Sequence, residues 1–222
     1  MARQRDSPFT SFLVASCSVI YLVTLLVPED LVYGLVLRYG VVPTLVLSGL
    51  STLSLVTHMF LHAGFQHLMT NTFVLFTVGR AVEKEVGTGR FSLIYLGSGV
   101  LAGLAHVAVN PQSSVPVVGA SGAIFGLIAV LLLLMPFEVT TAMIIPLPGV
   151  AVGVILLIVE VSSLLVNPGS IVAHDIHLYG FLFGGLGAFA ADYDRALRGL
   201  VIASVILVSL YVWAVYFNGV AF

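Results

Sequence analysis

What most restricts this chain is a series of apolar runs of bilayer length. A transmembrane helix needs about 20 predominantly apolar residues, within roughly 17 to 25. Seven stretches qualify: approximately Pro8 to Val27, Phe65 to Val86, Phe91 to Val109, Val115 to Met135, Pro148 to Val166, Ile171 to Ala191 and Leu200 to Phe217. The second is polar in its last turns. Only 8% of the 222 residues are charged, against roughly 25% in soluble domains, so the chain reads as an all-α polytopic membrane protein. Residues 28–57 are also apolar, but Pro28, Gly34, Gly40, Pro43 and Gly49 interrupt them and Arg38 lies in the middle. That pattern predicts re-entrant or interfacial structure rather than another span.

Charge placement selects a topology. With a cytoplasmic N-terminus, alternation puts Arg3, Arg5, Arg80, Lys84, Arg90, Arg195 and Arg198 on the cytoplasmic side and leaves only Arg38 outside, as the positive-inside rule expects. An eighth span between 28 and 57 would destroy that bias. The expectation is a multi-pass protein of the cell membrane with its N-terminus cytoplasmic and its C-terminus outside. Short loops point to a prokaryotic plasma membrane. No small-x-small cleavage pattern follows the first run, which reads as a retained span. A net charge of -2 without a basic run argues against a nucleic-acid partner, which would need a concentrated positive patch. The single cysteine, Cys17, permits no intrachain disulfide.

Chemistry is suggested where polar side chains interrupt the apolar spans. Small residues four apart occur as Gly99 and Gly103, Gly122 and Gly126, and Gly180 and Gly184, and such pairs let membrane helices approach closely. Two of these pairs have a polar neighbour, Ser121 and His177. Each lies 14 residues before the cytoplasmic end of its span, about 21 Å at 1.5 Å per residue, and so about 9 Å below the outer boundary of a core about 30 Å thick. At matched height, Ser121 can serve as a nucleophile and His177 as the base that takes its proton. Asp175 does not share a helix face with His177 at a spacing of two, so the expectation is a dyad with the ring oriented by packing. His67 and Asn71, four apart on one face, and His62 before them, could with the Ser121 amide stabilise an oxyanion.

The order His62-x4-His67-x3-Asn71, Gly79-x3-Glu83-x3-Gly87, Gly119-x-Ser121-Gly122 and His177-x2-Gly180-x3-Gly184 resembles the rhomboid intramembrane serine proteases, over about residues 54 to 191. The resemblance implies six core helices with a seventh appended. It divides the chain into a short cytoplasmic N-terminus (1–10), a rhomboid-like core (11–195) and a C-terminal transmembrane helix (196–222). It also implies Ser121 as nucleophile, His177 as base, His67 and Asn71 with the Ser121 amide as oxyanion site, and Glu83 as structural. Gly119 belongs to the serine motif. The family's Trp-Arg pair in the first outer loop is missing, since the only tryptophan is Trp213. Phe125 replaces a frequent tyrosine, which keeps an aromatic face for the histidine without the hydroxyl. The implied partners are single-span membrane proteins and the lipid bilayer, cut near the outer boundary.

Blander readings exist for each residue. Ser121 could be a packing serine and His177 a structural histidine, although intramembrane ionisable groups are usually functional. His58 with His62, and His174 with His177, have spacings that could ligate a metal, but such sites normally recruit carboxylates or further histidines and would leave Ser121 and Asn71 unexplained. No metal and no cofactor is expected. Glu160, the one acid in its apolar span, counts as a functional candidate by default, but its neighbours Ser162 and Ser163 favour a solvated rim position. His106 and His174 read as loop or helix-end residues without a role. The competing functions are a non-catalytic relative that escorts membrane clients and a metal-dependent membrane oxidase.

Overall fold

The computed structural model describes residues 6–143, 145–167 and 172–218. Arg3, Arg5 and the first half of the expected N-terminal segment lie outside the described residues, as do Ile171 and the last four residues.

The chain runs through α1 (Pro8–Thr24), α2 (Glu29–Tyr39), α3 (Pro43–Leu47), α4 (Ser54–Thr57), a 3-10 turn at His58–Phe60, α5 (Phe65–Val74), α6 (Arg80–Val86), α7 (Thr88–Val109) and α8 (Ser121–Leu134). A hairpin of β1 (Val139–Met143) and β2 (Ile145–Pro148) leads to α9 (Gly149–Val166), α10 (His174–Ala191) and α11 (Tyr193–Asn218). A π-helical turn over Leu75–Gly79 joins α5 to α6. Gly87, at φ 84, then redirects the chain, a conformation that glycine adopts without a Cβ penalty.

Among the described residues, three helices are long and apolar enough to cross a membrane: Thr88–Val109, Gly149–Val166 and Tyr193–Tyr216; Pro8–Thr24 and Ser121–Leu134 are shorter apolar helices. The remaining two expected spans are helical but polar at one end, with Arg80, Glu83, Lys84 and Glu85 in one and His174, Asp175 and His177 in the other.

Two expectations need correction. The fourth helix begins at Ser121 rather than Val115, because Val41 and Val117 pair as an antiparallel bridge that holds 115–119 extended. Val139–Met143 and Ile145–Pro148, not expected to form strands, pair antiparallel, Val139 with Pro148 and Thr140 with Leu147; the β-branched run Val139-Thr140-Thr141 suits that geometry. The stretch 28–57 forms short helices rather than another span, and α2 buries no residue.

Helix α8 is the axis of the bundle. Every residue from Gly122 to Leu134 is buried, as expected for a helix apolar all round. Glycines allow α10 to lie directly against it: a Cβ at Gly180 would overlap the Gly122 carbonyl, and one at Gly184 would overlap the Gly126 backbone. On α7, Ser98 faces Gly126, while Gly99 faces Met59 and Ala123. The α7 pair therefore also clamps the broken segment against the bundle, since Gly103 lies by Leu55, His58 and Val41.

The end opposite Ser121 is closed by polar ties. Arg195 donates to the Leu134 carbonyl at 2.8 Å and pairs with Glu85 at 2.6 Å, fastening α11 to the ends of α8 and α6. Asp192 Oδ1 accepts from the Arg195 amide at 3.1 Å, a cap on α11. Glu83 accepts from the Phe9 and Thr10 amides at 3.0 and 2.7 Å and from the Thr10 and Thr88 hydroxyls at 2.7 and 2.8 Å. One buried carboxylate thus satisfies donors at the start of α1 that the helix cannot satisfy itself.

Candidate active site

Ser121 is the first residue of α8, where backbone N–H groups have no intrahelical acceptor. Its position is fixed from both sides. Upstream, the Gly119 amide donates to the His58 carbonyl at 2.9 Å, and His58 is itself anchored through Nδ1 to the Ser54 carbonyl at 2.9 Å. Gly119 has φ 129, and a Cβ there would come within 2.7 Å of His67 Nε2. Glycine is required here by both conformation and the approach of that imidazole.

His177, one turn into α10, places Nε2 2.8 Å from Ser121 Oγ. Its ring stacks on Phe125 with centroids 4.6 Å apart and planes 9° from parallel. The small-residue seam between α8 and α10 makes this contact possible.

On the other side of the serine, His67 approaches Gly119 with Nε2 while its Nδ1 accepts from the Ala63 amide at 3.4 Å. That bond leaves the ring proton on Nε2, facing the site. Asn71 Nδ2 donates to the His67 carbonyl at 2.9 Å, and its Oδ1 has no hydrogen-bond partner among the described residues. His62 packs edge-on against His67, ring centroids 5.1 Å apart, and neither of its ring nitrogens meets the hydrogen-bond geometry with any described residue. Burial, and secondarily His67, pushes the His62 imidazole down to about 4, so it is neutral at neutral pH. Burial lowers His58 to about 4 as well.

The main departure from the sequence reading is Glu160. It is 7% exposed rather than solvated at a rim, and its Oε2 sits 2.6 Å from His174 Nδ1 and 3.1 Å from His177 Nδ1. The His177 contact lies off the hydrogen-bond direction, since Nδ1 has no aligned partner, but opposing lone pairs at that distance would repel. The carboxylate therefore favours the tautomer with the proton on Nδ1 and the Nε2 lone pair facing Ser121. A carboxylate behind the base was not expected, because Glu160 comes from a third helix. The sequence signal that could have found it was its being the single acid in an apolar span.

His106 and His174 also acquire roles. His106 is buried in α7 and meets Asp175 Oδ2 at 2.6 Å, where Asn110 Nδ2 donates at 3.0 Å. Asp175 is thus turned away from His177 and ties the end of α7 to the start of α10.

An apolar helical bundle with a serine hydroxyl and an imidazole in contact near one end defines a class: a polytopic helical membrane protein carrying a Ser-His pair. The family model described as Rhomboid domain matches residues 49–194, and the chain belongs to the rhomboid family. It is 47% identical over 78 residues to "Rhomboid protease GluP" of Bacillus subtilis, a match covering 35% of this chain and 15% of that one. It is 47% identical over 75 residues to "Rhomboid-like protein 11, chloroplastic" of Arabidopsis thaliana, covering 34% and 26%. It is 40% identical over 79 residues to "Rhomboid-type serine protease 2" of Emericella nidulans, covering 34% and 15%. The matched stretch thus spans about a quarter or less of these relatives.

Proposed function

We propose that the chain is an intramembrane serine endopeptidase that cuts transmembrane segments of other membrane proteins near the outer bilayer boundary, with Ser121 as nucleophile and His177 as general base. The observation that carries this reading is the 2.8 Å contact between His177 Nε2 and Ser121 Oγ, within the reach a proton transfer requires. Relatives named as rhomboid proteases support the reaction class.

In this mechanism His177 Nε2 takes the hydroxyl proton as Oγ attacks the scissile carbonyl. The oxyanion forms beside the His67 Nε2–H, the Ser121 amide and the Asn71 amide group, donors whose value is greatest for charge that develops in the transition state. His177 then protonates the departing amine, and water repeats the sequence to release the acyl group. Glu160 acts as a positioning residue that keeps Nε2 as the basic nitrogen. A substrate helix engages its own carbonyls in hydrogen bonds, so a scissile segment must unwind locally, which small or helix-breaking residues favour.

The accompanying topology has seven spans, six of them forming the core, in the cell membrane, with the N-terminus cytoplasmic and the C-terminus outside. The test is a panel of single-span substrates incubated in lipid with the purified protein. Wild type should yield discrete fragments that the Ser121→Ala variant does not. The same fragments from both would exclude the proposed nucleophile.

A further inference from the structure

We infer that Glu160, His174 and His177 form a divalent-metal site, suited to zinc, whose occupation switches off the proposed protease. The binding stands independently; only its consequence for activity rests on the Ser121–His177 reading. One donor atom from each of the three side chains lies within 4.8 Å of the other two. Two histidines and one carboxylate are a recurrent ligand set for tetrahedral zinc with its fourth position open to water.

The two imidazoles are three residues apart on α10, a spacing that brings side chains together on one helix face, and both place Nδ1 close to the same Glu160 oxygen from α9. The imidazole–carboxylate separations are 2.6 and 3.1 Å. Bonds of about 2.1 Å at tetrahedral angles place ligand atoms about 3.4 Å apart, so the carboxylate and each ring need open by less than about 1 Å. The Glu160, His174 and His177 side chains retain 9, 15 and 13% exposure, so none is fully enclosed.

The consequence follows from which nitrogen is used. A neutral imidazole bound to a metal through Nδ1 carries its proton on Nε2. On binding, the proton at Nδ1 of His177 is displaced and one is taken up at Nε2, with no net change in the ring's charge. Nε2 then presents an N–H to Ser121 Oγ, and no lone pair remains to receive the serine proton. The carboxylate that favours the active tautomer in the metal-free protein becomes the third ligand of the inactive one.

The test uses the full chain in detergent micelles, with cobalt(II) as a spectroscopic probe and zinc(II) as competitor. Wild type and Ser121→Ala should each bind one cobalt, with the visible absorption of a tetrahedral ion, and zinc should abolish that absorption. Glu160→Gln, close to isosteric, and His174→Ala should each bind at least about 100-fold more weakly, more than is lost when only an outer-shell partner is removed. Fluorophosphonate labelling of wild type should slow about tenfold at free zinc ten times its dissociation constant and recover with chelator. The His174→Ala protein, compared with its own zinc-free rate, should show no such slowing. Absence of the cobalt spectrum, or its persistence in both ligand variants, would overturn the site. Zinc bound at the site with labelling unchanged would overturn the switch. A failure of Ser121 to label with or without zinc would overturn the protease reading and the switch together, while the cobalt titration would still decide the site.

Discussion

The two walls that flank Ser121 differ in what their polar atoms already touch. On the α10 side, His177 Nε2 is hydrogen-bonded to the serine, its ring lies on Phe125, and a carboxylate stands behind Nδ1. On the α5 side, both nitrogens of His62 have no hydrogen-bond partner among the described residues, and His67 brings Nε2 up against Gly119. The first wall is organised in the resting protein. The second presents the His67 Nε2–H beside Gly119, and a donor that gains its partner only as charge develops contributes to the transition state rather than to ground-state binding.

Removing the groups that exchange the proton gives the largest effect. Ser121→Ala and His177→Ala should each lower kcat by on the order of 10^4-fold or more, and the double variant should lose little beyond either, because such groups act as a unit. Single-turnover cleavage would measure this, and additive losses would mean the two side chains work separately. Next comes the opposite wall: His67→Ala should cost about 10^2 to 10^3 in kcat with KM little changed, the size of one lost oxyanion donor. A loss confined to KM would move His67 from transition-state stabilisation to substrate binding.

Glu160→Gln should be milder, about 10-fold in kcat, since the charge that favours the proton on Nδ1 of His177 is replaced by a neutral amide. No change in kcat would reduce the first wall to Phe125 packing alone. The smallest effect concerns stability. His58 and His62 titrate at about 4 in the folded protein against about 6.5 unfolded, so the unfolded chain binds more protons between those values. The stability present above about pH 6.5 should therefore fall as pH drops towards 4. Thermal unfolding across that window should show a slope that shrinks in His58→Gln.

Much of the α10 wall was legible in the sequence. The glycine pairs at 122/126 and 180/184 announce a close helix contact, and equal distances from the ends of their spans put Ser121 and His177 at one height. Rotation between helices is another matter. Periodicity within α9 cannot say which neighbour Glu160 meets, and the adjacent serines pointed outward. Asp175 was rightly set aside from His177, yet its pairing with His106 depends on where α7 ends against α10. The extended segment before Ser121 escaped for a similar reason: Val115 to Ala120 is apolar enough to read as helix, and only the partner strand residue Val41 reveals that it is not.

The most direct measurement is site mapping of a fluorophosphonate adduct on the purified protein in lipid. A single adduct on Ser121, absent from Ser121→Ala and His177→Ala, is the predicted result. An adduct on another residue, or none on a folded wild-type protein free of metal, would contradict the assignment of Ser121 and His177 as the reacting pair.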